Sequence, residues 1–462
     1  MKIQINNFGP IKRYEFDLSK DLHLIFGGNN IGKSYAITIV YLVIKSFLSY
    51  TDPYLSYHLG KIYGLDDPDI SESDMDQSHI TTRILDNLTT WIHATIIQNL
   101  HNSFLATYDS VENLQNQFTD KQCSIVLVSD LLIVTIKIEK GRLSISRIEL
   151  RKELEVRIVK RNRHCKIDKS KIIFYYVENS TTSYYSHIKE LAISLYQHFI
   201  NDVAIYIESV HFLPASRSGL YQALNAFGQI IAELSKSRSF LKKRIELPNI
   251  SEPLSDYFLS LSEITSGRRV VINKEINDIA KQIENDVLKG VVEFDSKTKK
   301  IMFSPENTKL RLDLSSTSSM VSELSPIVSY IRYILAQPPR RARQLHKSAK
   351  PLVIIEEPEA HLHPKIQIKI MEIFSKLVRN NVKIIITSHS NYMFNKANNL
   401  ILEKAIDIST LQATIFKNTP QGSTGETICT DNLGMDDENF IDIAEYLLNE
   451  KIDLINKANS ND

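Results

Sequence analysis

The sequence predicts an α/β fold: a central, mostly parallel sheet, an antiparallel β lobe and a helical insertion. Three observations predict it. The glycine-rich run GGNNIGKS (27–34) lies between an apolar strand and a long apolar helix. The apolar run LVIIEE (352–357) ends on two glutamates, and IIITSHS (384–390) ends on a histidine flanked by serines. The core they imply is assembled from parts far apart in the chain.

In chain order, the strands KIQINNF, YEFDL and LHLIF come first, and the third runs into the glycine-rich loop. A helix carrying AITIVYLVI (36–44) follows, and residues 51–122 read as a helical insertion with apolar residues at helical spacing. From Cys123 to about Val177 the texture is β, in CSIVLVSDLLIVTIKIE, RLSISRIEL, ELEVRIVK and KIIFYYV. A helix (YYSHIKELAISLYQHFINDV) then leads to a strand that breaks at Pro214 within FLPASRSGL. Helical material fills about 219–290, and VVEFDSKTKKIMFSP reads as a hairpin. The last third holds LSSTSSMVSELSPIVSYIRYIL, a proline-basic linker (QPPRRARQLHKSAK), the strand ending at Glu357, a helix, the strand ending at His389, and a mixed tail. The division expected is core at 1–50, helical insertion at 51–122, β lobe and return at 123–235, second helical insertion at 236–295, and core again at 296–462.

Composition bounds the classes of function. The 462 residues are 43% hydrophobic and 24% charged, enough apolar material for a sizeable core. The net charge of +1 gives no overall basic field, so nucleic acid would have to be met by a local patch. Cys123, Cys165 and Cys429 are widely separated and make neither a disulfide framework nor a zinc spacing. The start, MKIQINNFGP, shows no secretory apolar region, and the run 36–44 stops at Lys45, too short to span a bilayer. A cytoplasmic protein that does not enter membranes is expected.

Gly27, Gly28, Asn29, Asn30, Ile31, Gly32, Lys33 and Ser34 match G-x-x-x-x-G-K-S between a strand and a helix, as a phosphate loop requires. Glycines let backbone N–H groups wrap phosphates, and the helix N-terminus adds its positive dipole end. Lys33 has the reach for β- and γ-phosphates of ATP, and Ser34 carries a hydroxyl suited to Mg²⁺. A strand ending in acids places carboxylates beside those phosphates. Glu356 is the expected Mg²⁺ ligand, direct or through water, and Glu357 the base that polarises the attacking water. One carboxylate cannot do both, because the metal ligand must stay ionised and turned to the metal. His389 ends the third strand and suits a residue that senses the γ-phosphate. Glu359, His361 and His363 could be set together as a metal cluster, but two histidines two apart are a weak pattern for zinc.

The order of phosphate loop, long insertion, serine-rich segment, IEEPEAHLHP and TSHS resembles the ABC-type ATPase heads of the OLD family, which group with SMC and RecF heads. The likeness covers most of the chain, from INNFGPIKRYEFDL and GGNNIGKS through FLPASRSGL to the stretch from LSSTSSMVSEL to NFIDIAEYL. It implies an ATP- and Mg²⁺-dependent ATPase whose nucleotide lies between the phosphate loop of one copy and the signature helix of another, in a head-to-tail dimer or larger oligomer. It implies that Ala360, His361 and His363 belong to the D-loop at that interface. The signature falls at Ser315–Glu323, with Ser318, Ser319 and Glu323 as contacts made in trans, and Met320 stands where the family has glycine. Arg217 of LPASRSG is a polar contact near the site without an assigned role.

Full OLD proteins carry a TOPRIM nuclease, and the residues after Ser390 read instead as the closing strands and helix of the head, so no intrinsic nuclease is expected. Stand-alone heads of this kind resemble the ATPase subunits of two-component anti-phage systems such as PARIS and Septu. That implies a sensor and scaffold holding a separately encoded nuclease or toxin, with a phage protein as trigger. The alternative is a RecF- or SMC-like repair ATPase that clamps DNA. Arg340, Arg341 and Arg343, with His346, Lys347 and Lys350, form the densest basic cluster and could meet DNA, tRNA or an acidic partner. The cationic excess between Lys137 and Lys171 is read as a solvated sheet face.

Overall fold

The computed structural model describes residues 1–50, 77–159, 166–168, 170–177, 184–222, 250–264, 273–295, 298–337, 348–436, 446 and 448–456. Three strands open the chain, β1 (Lys2–Phe8), β2 (Ile11–Asp17) and β3 (Leu22–Gly27), before helix α1 (Lys33–Leu48). Helices α2 (Gln77–Ile92) and α3 (Gln98–Tyr108) precede β4 (Ser124–Val128), β5 (Leu132–Glu139), β6 (Arg142–Leu150), β7 (Glu153–Val159), β8 (Lys166–Ile167) and β9 (Lys171–Val177). Helix α4 (Tyr184–Ala204) leads into β10 (Ile207–Leu213), followed by α5 (Glu252–Ser262) and α6 (Lys274–Ile283). The hairpin β11 (Gly290–Asp295) and β12 (Lys300–Pro305) is joined by the short β13 (Leu312–Asp313) ahead of α7 (Ser319–Tyr330). The closing elements are β14 (Lys350–Glu356), α8 (Pro364–Arg379), β15 (Lys383–Ser388), α9 (Asn391–Leu402), β16 (Leu411–Thr419), β17 (Gly422–Thr427), β18 (Thr430–Asp431) and β19 (Gly434–Met435).

One 11-stranded sheet organises them, in the order β10-β14-β15-β3-β16-β17-β2-β1-β4-β5-β6. The first five run parallel. β17 reverses against β16 and pairs in parallel with β2, and the remaining pairings are antiparallel. The β lobe therefore continues the same sheet through β4, β5 and β6. β7, β9 and β8 form a separate sheet of three strands.

The central parallel strands β14 and β15 are largely apolar on both faces, and the alternation of side chains along the parallel run divides them between two cores. Ile25, Leu352, Ile354, Ile385 and Phe416 turn to one core, under α1, α2, α3 and α4. Leu24, Phe26, Val353, Ile355, Ile384 and Ile386 turn to the other, with α7, α8 and α9. Strands buried on both sides read as continuous Val/Ile/Leu runs, the texture of LVIIEE and IIITSHS. Within 51–122, the stretch 77–108 is largely helical, while 109–122 is irregular apart from one short turn at Glu112–Leu114. That irregular stretch crosses to the sheet by pairing with β1 at Phe8.

Candidate ATP-binding and hydrolysis site

The chemistry gathers at the C-terminal edge of the parallel run, where α/β sheets bind ligands. Register brings it together: Leu213 pairs with Ile355, Glu356 with Thr387, Ser388 with Phe26, and Phe416 with Gly27. Residues near 27, 214, 357 and 389 thus become neighbours although the chain separates them widely.

Gly27 and Gly32 have φ of 142° and 92°. Any Cβ at Gly27 would lie 2.9 Å from the carbonyl oxygen of Phe416, so both conformation and space require glycine there. Gly28, Asn29 and Asn30 are exposed, while Ile31 buries its side chain in the core and anchors the loop. Helix α1 begins at Lys33 with Gly32 as its cap, and it has no side-chain cap bond and no acid in its first turn. Its N–H groups are open to an anion.

Lys33 is buried, and its ammonium donates to the carbonyls of Gly27 (3.0 Å) and Gly28 (2.7 Å). It also lies 3.0 Å from His389 Nε2, which is itself 3.0 Å from Glu357 Oε1. One ring nitrogen cannot serve both: neutral Nε2 accepts from Lys33, and protonated Nε2 donates to Glu357. Burial pulls the Lys33 pKa down to about 8, against the opposing pull of Glu357, Glu359 and Glu356.

Glu356 closes β14, and its carboxylate accepts from the backbone N–H of Ala215 at 3.4 Å. Burial raises its pKa, opposed by a hydrogen bond from the Ser34 side chain and by Ala215. Ser34 and Glu356 thus offer two adjacent hard oxygen donors, and a carboxylate whose charged form desolvation disfavours is stabilised by a cation. That donor set fits Mg²⁺, which takes few protein oxygens and keeps its waters. Glu357 has φ of 40°, a left-handed backbone, and its N–H donates to the Thr387 carbonyl at 3.1 Å. This turn swings its carboxylate away from that of Glu356 and onto His389. The His389 hydrogen bond lowers its pKa, ahead of the opposing desolvation. The surroundings thus favour the charged form of Glu357 and disfavour that of Glu356.

The D-loop residues follow in two tight turns, with Ala360 N–H bonded to the Glu357 carbonyl at 3.1 Å. His361 and His363 are exposed. His363 caps α8, its Nδ1 accepting from the Lys365 N–H at 3.3 Å, with Pro364 at the first helical position. Glu359 turns inward, where Oε1 accepts from the Ser388 hydroxyl at 2.8 Å and the His389 N–H at 2.7 Å. The grouping of Glu359, His361 and His363 is thereby broken up. Glu359 is an anchor for the His389 turn that the sequence reading passed over.

The signature helix divides its residues. Ser318 and Ser319 are exposed at the N-terminus of α7, where Ser318 Oγ accepts from Val321 N–H at 3.4 Å. Met320 packs at the margin of the core. Glu323 corrects the expectation that it joins those serines, because it is 2% exposed and faces Arg217. A contact made in trans cannot use a carboxylate enclosed within its own subunit. Arg217, fully buried, donates to the carbonyls of Pro214 (3.0 Å), Glu356 (2.7 Å) and Glu357 (3.4 Å). No pattern in LPASRSG announces that role; only the burial of an arginine reveals it.

Arg340, Arg341 and Arg343 lie outside the described residues, as do His346 and Lys347. Lys350 is paired with Asp21 at 2.7 Å. On the β lobe, Lys152, Arg157, Lys166 and Lys171 pair with Asp130, Glu155, Asp168 and Glu155 respectively. Among the described residues no helix is long and apolar enough to cross a membrane.

A phosphate loop between β3 and α1, with the acid-ended β14 and the histidine-ended β15 beside it on one parallel run, makes an α/β P-loop ATPase fold. A family model described as an AAA ATPase domain matches residues 1–394. Among solved structures, the chain is similar at 10% identity to an SMC head bound to the C-winged helix domain of ScpA, covering 93% of this chain and 97% of that one at a TM-score of 0.39. It is similar at 10% to the SMC head domain from Thermotoga maritima, covering 93% and 98% at 0.34. A Pyrococcus furiosus Smc head with an extended coiled coil, bound to the ScpA C-terminal domain, shares 12% identity over 97% and 98% at 0.36. No curated protein matches the sequence. The chain belongs to the AAA ATPase domain family.

Proposed function

We propose that this ATPase is the sensor and scaffold subunit of a bacterial anti-phage complex, holding and releasing a separately encoded nuclease or toxin. The observation that carries its ATPase half is the chain of contacts Lys33–His389–Glu357, at 3.0 Å each, on the edge where the phosphate loop ends. Lys33 exchanges two backbone carbonyls for phosphate oxygens when ATP enters. Glu357, held ionised and aimed by His389, takes the proton of the attacking water as the γ-phosphoryl leaves ADP. Ser34 and Glu356 would hold Mg²⁺, which would supply charge neutralisation for the phosphates.

The exposed hydroxyls of Ser318 and Ser319 complete such a site only from a second copy, so assembly and turnover go together in this reading. The scaffold half rests on the likeness to stand-alone defence heads, and the ion pairing of the β-lobe cations supports it. A DNA clamp needs cations free to displace counterions along phosphates. Here Lys152, Lys166 and Lys171 already face carboxylates.

Duplex binding across a salt series, with co-expression of the adjacent gene, tests the reading. Weak, salt-sensitive binding, reduced by neutralising Arg340, Arg341 and Arg343, is expected. So are copurification of the neighbouring product, toxicity only on a phage trigger, and no cleavage by the purified chain with Mg²⁺ or Mn²⁺. Tight ATP-dependent duplex binding that persists at moderate salt, with no copurifying partner, would promote the repair clamp.

A further inference from the structure

Arg217 is a charge with no exposure to water, and burying an arginine is costly unless it is paired and hydrogen-bonded. Its partners come from three places in the chain. Nη1 donates to the carbonyls of Pro214 and Glu356, Nη2 to that of Glu357, and Nη2 also lies 3.5 Å from Glu323 Oε2. Glu323 is fixed from its other side, where Oε1 accepts the Ser218 hydroxyl at 2.6 Å. One guanidinium therefore joins the end of β10, the peptide units of both site glutamates, and the buried face of α7.

The Glu357 peptide is the sensitive member of this set. Its φ of 40° is an uncommon conformation for a non-glycine residue and costs energy that its contacts must offset. The restraints are the Thr387 carbonyl on its N–H, and the Ala360 N–H (3.1 Å) together with Arg217 (3.4 Å) on its carbonyl; of the two on the carbonyl, only Arg217 is a side chain from another part of the chain. We infer that Arg217 is the positioning residue for Glu357, and that its ion pair with Glu323 makes the aim of that base depend on the position of α7. The N-terminus of α7 carries Ser318 and Ser319, so contact at those serines with a nucleotide held by a second copy reaches this copy's own base through Glu323 and Arg217. The inference rests on the reading of Glu357 as the base.

The test compares Glu323→Gln, Arg217→Lys, the double variant and Glu357→Gln in the full chain, measuring kcat, ATP affinity and thermal denaturation together. Glu323→Gln keeps shape and the Ser218 contact but removes the charge. Arg217→Lys keeps the charge but lacks the planar fork that reaches two carbonyls at once. Each is expected to lower kcat per folded molecule, Arg217→Lys on the order of a hundredfold, with ATP affinity held. The double variant is expected to be no worse than Arg217→Lys, since both act through one path. Parental kcat in both single variants, with Glu357→Gln inactive, sinks this inference alone. Parental turnover in Glu357→Gln sinks the reading of the site beneath it. Activity lost only in proportion to unfolded protein, or ATP affinity lost at unchanged kcat, also overturns it. Should Arg217→Lys fail to fold, Glu323→Gln decides the question.

Discussion

Glu359 holds the backbone N–H of His389 at 2.7 Å, so the third acid of EEPEA sets where the histidine of TSHS stands. The same oxygen accepts the Ser388 hydroxyl, and Ser388 is 1% exposed. Glu359→Ala leaves the His389 N–H without its acceptor and the Ser388 hydroxyl with only the Met393 sulfur at 3.9 Å, and is expected to cost about 2 kcal/mol of stability, with turnover reduced roughly tenfold. Glu359→Gln retains an acceptor oxygen and is expected to stay closer to the parent. Urea denaturation and steady-state hydrolysis of the two variants make the comparison. Equal losses in both would remove the acceptor argument.

Glu357→Gln is expected to bind ATP with parental affinity and to lose roughly a hundredfold or more in turnover, the scale of a general base. ATP-bound dimers should accumulate, visible by light scattering. Hydrolysis at the parental rate would show that the base lies elsewhere.

Lys33→Ala is expected to abolish nucleotide binding by removing the phosphate-facing charge. In the parent, Lys33 without nucleotide titrates at about 8, and bound phosphates raise that value by favouring its charged form. ATP affinity should therefore be level below pH 8 and fall by up to about tenfold per unit as the pH rises above it. Titration calorimetry should find proton uptake on binding near that pH. An affinity unchanged to pH 9.5 would contradict the buried, depressed lysine.

Ser319→Arg places a bulky cation at the exposed N-terminus of α7. ATP-dependent association is expected to be lost while ATP binding to the single copy is kept. Unchanged association by light scattering removes this segment from the interface.

His23 is 1% exposed on β3, stacked on Phe16 at 4.1 Å, and burial depresses its pKa to about 3. As pH falls from about 6.5 toward 3 the unfolded chain takes up this proton and the folded one does not, so stability declines across that window. In His23→Phe the acid limb of the stability profile should be shallower than in the parent, while the two run parallel above pH 7. Parallel profiles throughout would mean that His23 protonates without unfolding.

The phosphate loop, the paired glutamates and His389 were legible because each is a local pattern: a turn that needs glycine, or an apolar run that stops on a polar side chain. LVIIEE and IIITSHS were legible as core strands for a similar reason, since their apolar runs are continuous, but the division of their side chains between two cores was not. Arg217 and Glu323 were not. Their link spans 106 residues, and a carboxylate one turn into a serine-rich helix start looks solvent-facing until α7 is seen buried from Val321 to Tyr330. Glu359 was hidden differently. Its sequence neighbours are the exposed histidines, but its contacts are with the next strand, so nearness in sequence suggested a cluster that the turn takes apart.

The placement of β3 between β15 and β16 has a kinetic consequence. β3 leaves the ribosome well before either of the strands that hydrogen-bond it, both of which come from beyond residue 380. At roughly 5–20 residues per second, the loop at its end waits on the order of half a minute for the strands that frame it. During that wait β3 presents two edges of unpaired N–H and C=O groups on a mostly apolar strand, the condition under which nascent chains aggregate or recruit chaperones. A fragment ending before β15 would contain every residue of GGNNIGKS and still lack the walls that hold it open to a phosphate.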